Sequence, residues 1–201
     1  MCFSLEISLG TGILSYLTGY IVLQRDISIN EKNMVYGFLI FSSIQFADSL
    51  LWLSDMKKNN LNYYTTSILI PFLLSLQIYW NLFVINKMDN YLSYFLIIWS
   101  IIYLFIRLNG YSRPLCINNM SSPVWSGTDI TLIEALMFAI LISYPHTSNF
   151  LVYLFTILFI KYVFKGAIGS LWCFIAVYMW LYAYFIIGVK NPGKWTNIFT
   201  N

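Results

Sequence analysis

Apolar residues occupy this chain in long, unalternating blocks separated by short polar clusters. Seven blocks can be marked, over positions 7–23, 34–53, 66–85, 91–106, 130–144, 150–164 and 168–187. Gln24-Arg25-Asp26 closes the first, and a polar run from Asp55 to Asn60 closes the second. A long polar connection, 107–129, follows the fourth, Pro145 ends the fifth, and Asn191-Pro192-Gly193 follows the seventh. About 20 apolar residues in helical form cross the hydrocarbon of a bilayer. Within lipid the backbone must satisfy its own hydrogen bonds, so only helices and closed barrels span it. The absence of alternation excludes a barrel. The pattern therefore predicts an all-α polytopic membrane protein with seven transmembrane helices. The fifth and sixth blocks are short for a crossing, and a re-entrant pair between five full spans is the alternative.

Composition agrees with the pattern. The chain has 201 residues, 59% hydrophobic and only 9% charged, against about 25% charged in soluble domains. A soluble fold so poor in charge could not cover its surface. The bilayer is thus the first expected partner, and one transmembrane domain over 1–201 is expected, with a lid-like loop at 107–129. The net charge of +3, without a basic cluster, phosphate loop or zinc-finger spacing, argues against nucleic acid. Glu6 stands where a signal peptide would carry positive charge, so the first block reads as a retained helix. No cofactor is expected: the last block has no lysine for a retinal-type Schiff base, and Lys161 reads as a snorkelling cation.

Orientation is balanced. On the side of the N-terminus, the N-side, fall Lys57, Lys58, Arg107, Arg113, Lys161 and Lys165. On the opposite side fall Arg25, Lys32, Lys87, Lys190 and Lys194. Six against five does not separate the two under the positive-inside rule. The polar chemistry is lopsided all the same. Asp48, near the N-side end of the second block, shares one helical face with Gln45 and Trp52 by i, i+3, i+7 spacing. Glu134, Trp125, Trp172 and Cys173 fall toward the same side, and His146 falls on the other. Gln77 and Asn81 form an i, i+4 pair deeper in the third block.

Each residue also has a structural reading. Glu134 completes Thr131-x-x-Glu134, a capping-box pattern. Ser8-x-x-x-Gly12 and Ser15-x-x-x-Gly19 read as close helix packing. Gln77 and Asn81 suit hydrogen bonds between helices. Cys2, Cys116 and Cys173 lack paired spacing and a nearby histidine, so a zinc site is a weak expectation. Asn119-Met120-Ser121 is a glycosylation sequon. If it is used, the N-side faces outward and Cys2 and Cys116 can pair as a disulfide.

Three stretches carry a resemblance: Met1-Cys2-Phe3-Ser4 with Ser8; Gln45-x-x-Asp48-x-x-x-Trp52; and Ser170-x-Trp172-Cys173-Phe174. In this order they resemble a family of small multi-pass membrane proteins of bacteria and giant viruses that begin Met-Cys-Phe-Ser. Asp48 stands where that family has Glu, keeping the charge and shortening its reach. The resemblance implies a seven-helix membrane protein and no particular activity.

The leading functional expectation is a small-molecule or ion binding or transport protein. Its polar pocket is placed around Asp48, with Gln45, Trp52, Glu134, Trp172 and Cys173, and Gln77 and Asn81 extend a path inward. One alternative is a membrane-embedded enzyme with Cys2 as nucleophile on a lipid or thioester substrate. The other is a scaffold whose polar residues only hold helices together.

Overall fold

The computed structural model describes residues 4–117, 120–144, 147–159, 161–162 and 171–188. Helix α1, Leu5–Leu23, starts where the Ser4 hydroxyl accepts the Ile7 N–H. Helix α2, Ile29–Leu53, starts at a capping box in which Ser28 and Glu31 satisfy each other's backbone N–H. It tightens at Ser43, whose hydroxyl bonds back to the Leu39 carbonyl at 2.9 Å, a contact that bends helices. Helix α3, Asn60–Ile85, begins under an Asn59 cap. It widens to π geometry at Thr65–Leu69, just before Pro71, and again at Trp80–Ile85. Proline supplies no N–H, so the regular ladder cannot run through it.

Helix α4, Tyr91–Arg107, is capped by Asn90. The connection after it carries an antiparallel hairpin, β1 Arg113–Ile117 with β2 Met120–Val124, in which Pro114 faces Pro123. Neither proline can donate to a ladder, which a two-stranded ribbon with free edges tolerates. Helices α5, Leu132–Ser143, α6, Thr147–Phe159, and α7, Leu171–Ile186, complete the order.

Each apolar block thus falls on one helix, and the described residues are mostly helical. α1, α2 and α3 are long and apolar enough to cross a membrane, which marks a membrane protein. α4, α5 and Phe150–Phe159 are shorter apolar helices.

The burial pattern is that of a bundle meant for lipid. Ser8, Ser15, Ser42, Ser49, Ser100 and Ser143 are buried, while Tyr20, Phe72, Ile98, Ile106, Phe155 and Phe185 are exposed. Lipid tails are as apolar as leucine, so the interior gains from small and polar residues that pack closely and hydrogen-bond. On α1 the buried stripe is Ser8, Gly12, Ser15, Gly19 and Val22. A methyl group added at Gly12 would stand 3.0 Å from the Phe46 ring, and one at Gly19 2.7 Å from both Leu39 and Trp180. The close packing expected of the two Ser-x-x-x-Gly pairs is present.

Hydrogen bonds tie helix ends to one another. Asn62 at the start of α3 binds Ser112 of the hairpin connection. Arg25, just past α1, donates to the carbonyl of Tyr184 in the last turn of α7 and to that of Ile187 just past it. Asn81 near the end of α3 and Asn86 just past it donate to the Tyr144 carbonyl, past the end of α5.

Candidate functional site

The predicted polar face of α2 forms, and it faces protein. Asp48 is fully buried and accepts the indole N–H of Trp125 at 3.2 Å. Trp125 is 1% exposed and follows β2 directly, so the hairpin connection delivers it. One turn away, the Gln45 carbonyl oxygen accepts the Thr11 hydroxyl of α1 at 3.0 Å. α2 therefore uses these two side chains to hold α1 and the hairpin connection. Among the described residues, two buried groups here have no hydrogen-bond partner, the Ser8 hydroxyl and the Trp52 indole N–H.

Glu134 is engaged by structure. Its backbone N–H donates to Thr131 and its carboxylate accepts the Thr131 N–H at 2.7 Å, which is the capping box. The same carboxylate accepts from the Tyr103 hydroxyl and from Arg107 Nε, the latter at 2.6 Å. Arg107 also donates to Ser126, Thr128 and the Asp129 carbonyl. A guanidinium has five donors in a fixed fork, and here they gather the whole return from the hairpin to α5.

A second polar hub lay unread in the sequence. Asn62, fully buried, donates to the Lys57 and Ser112 carbonyls and accepts from the Ser112 N–H and the Thr66 hydroxyl, at 2.8–3.0 Å. Thr66 and Ser112 also share a hydrogen bond of 2.7 Å, and Ser67 pairs with Gly110 in both directions. The signal was Asn62 one turn before Thr66 and Ser67 in the polar first turns of α3.

The remaining candidates divide. Trp172 and Cys173 belong to α7, and Cys116 to β1 opposite Ser121, while the side chains of all three lie outside the description. Cys2, the candidate nucleophile and weak metal ligand, lies outside the described residues altogether, as does His146.

Among the described residues, two of the cavities lie beside α3. One is a narrow slot of about 60 Å³ among α3, α4 and α5, walled by Leu74, Ile78, Trp99 and Phe138, with Arg107 and Glu134 at its polar end. The other is larger, about 400 Å³, and lies among α2, α3, α5, α6 and α7. Gln77 and Asn81 line it together with Phe38, Trp80, Tyr153 and Met179. Asp48 belongs to the lining of neither. Gln77 and Asn81 line this cavity without Asp48.

Within that cavity the two amides differ. Asn81 donates to the carbonyls of Leu141 and Tyr144, at 3.0 and 2.8 Å, and its own side-chain oxygen accepts from Asn86. Gln77 is 6% exposed, and among the described residues neither its nitrogen nor its oxygen has a hydrogen-bond partner. Comparison with protein-family models, curated proteins and solved structures finds no match to the chain.

Proposed function

We propose that this chain is a seven-span membrane protein that binds a small molecule inside its helical bundle, in the cavity bordered by Gln77. One observation carries the reading: a cavity of about 400 Å³ is lined by Gln77, a buried residue whose amide has no partner among the described residues. An unsatisfied buried polar group costs about 1–3 kcal/mol. A turn of the Gln77 side chain into the cavity lets a ligand there supply the missing partners and offset that cost, and the cavity provides the room. The π turn at Trp80–Ile85 lies on the same wall, and such widened turns are frequent at functional sites.

At the other end, Asp48, Asn62 and Arg107 all bind the connection between α4 and α5. Their role in this reading is to fasten a lid, not to hold the ligand. The proposal extends to the Met-Cys-Phe-Ser family, whose second-helix motif coincides with the residues that hold α1 and Trp125.

The test is a thermal-shift screen of the purified full chain with fragment-sized neutral, anionic and cationic solutes. Wild type is compared with Met179→Trp, which fills the cavity from α7. The expected result is that at least one class raises the melting temperature of wild type and not of Met179→Trp. Equal shifts in both proteins, or none in either, refute the reading.

A further inference from the structure

We infer that the slot among α3, α4 and α5 is a lipid site, holding one unbranched acyl chain that enters from the bilayer between α4 and α5. The site is separate from the Gln77 cavity. It rests only on that part of the seven-span reading in which α4 and α5 face lipid.

The slot opens sideways. Trp99 and Tyr103 of α4 and Met137 of α5 line it and are exposed. The two rings on α4 stack at 5.3 Å and form one lip, and Met137 forms the other. Ile98 and Ile102 on α4, and Ile133 and Ile140 on α5, are exposed as well, so the mouth lies in an apolar outer face. In a bilayer such a face meets lipid tails, which are as apolar as leucine. Ser100 and Ala135, which also line the slot, are small and buried. Larger side chains there would close the seam between the two helices.

Hydrocarbon is what the lining accepts, because its polar groups are already used inside the protein. The Ser100 hydroxyl donates to the Leu96 carbonyl at 2.6 Å, the Tyr103 hydroxyl to Glu134 and the Trp125 indole to Asp48. Arg107 makes five hydrogen bonds, which matches the five donors of a guanidinium. A buried water needs several polar partners and finds these engaged. An alkyl chain needs none, and it restores the dispersion contacts that an empty slot forfeits.

The dimensions suit a single chain. From Trp99 to Arg107 the slot follows about 12 Å of helix, yet its volume is about 60 Å³. A cavity that holds one benzene measures about 150 Å³. A long, thin slot excludes rings, and sterols with them, and admits a methylene chain. The headgroup is not selected. Arg107 and Glu134 neutralise each other at the polar end, and no guanidinium N–H is left for a phosphate.

The experiment uses the full chain in phosphatidylcholine nanodiscs that contain a probe lipid with a diazirine in one acyl chain. After illumination, peptide mass spectrometry locates the label. Label is expected on Phe138, which is buried and lines the slot, and on Ile98, which is exposed outside it. Met137→Trp crowds the mouth, and Ala135→Leu fills the slot from within. Each should lose the Phe138 label and keep the Ile98 label, whereas Ile133→Trp, outside the slot, should keep both. Met137 is exposed, so its variant folds, and circular dichroism checks this. Phosphatidylcholine and phosphatidylglycerol probes should label Phe138 equally, and a cholesterol probe should label Ile98 alone. Phe138 label that survives both slot variants overturns the inference. So does Phe138 labelling by cholesterol, a preference for phosphatidylglycerol, or an unlabelled Phe138 beside a labelled Ile98. Label on exposed Leu14 of α1 with none on Ile98 or Phe138 overturns the placement of α4 in lipid, and the inference with it.

Discussion

Asn62 gives the sharpest test of how the hairpin connection is fastened. Its amide makes four hydrogen bonds, two given and two received, from a site with no exposure. Asn62→Ala removes the side chain and strands two backbone groups, the N–H and the carbonyl of Ser112, while the Lys57 carbonyl keeps the Asn59 N–H. Each stranded buried group costs about 1–3 kcal/mol. Relaxation lets some of them find water, so the expected loss is about 3 kcal/mol. Asn62→Asp keeps the shape and the two acceptances. It replaces the donating nitrogen with an oxygen aimed at two carbonyl oxygens 2.9 Å away. That exchange turns two attractions into repulsions and buries a charge, so Asp should be worse than Ala. Thermal unfolding in detergent measures the loss. Hydrogen exchange at residues 108–112 separates release of the connection from global unfolding. An Asn62→Asp protein within about 0.5 kcal/mol of wild type, well below the cost of even one stranded group, would refute the reasoning.

Three further outcomes are expected. Gly19→Ala places its methyl 2.7 Å from Trp180, whose N–H is held by Ser42 at 2.7 Å, so it should cost about 1–3 kcal/mol by overpacking. Gly10→Ala, with open space around it, should be neutral or slightly stabilising, and paired melting curves decide. Arg107→Lys keeps the charge and loses the fork that gathers Ser126, Thr128, Asp129 and Glu134. Protease cleavage within 125–131 should then speed several-fold, and unchanged cleavage would show that the fork does not hold this segment.

What the sequence alone determined is the helical, lipid-facing character of the chain and the position of each helix. Long apolar blocks in a chain with 9% charge leave few other ways to satisfy the backbone, and this information is local. The Thr131–Glu134 capping box and the α1 Ser-x-x-x-Gly stripe were legible for the same reason, since each depends on spacing within one helix. The hairpin was not legible, because two five-residue strands carrying Pro114 and Pro123 have no strong period. Partners distant in sequence were hidden as well. Nothing local says that Asp48 meets Trp125, or that Glu134 meets Arg107 as well as its own helix start. Gln77 and Asn81 look alike on α3, one turn apart. Only the packing of α5 beside Asn81 consumes that amide and leaves Gln77 unpaired at a cavity wall. Helix periodicity sets which face a side chain occupies, and the tertiary structure decides whether that face meets a carbonyl, a tryptophan or empty space.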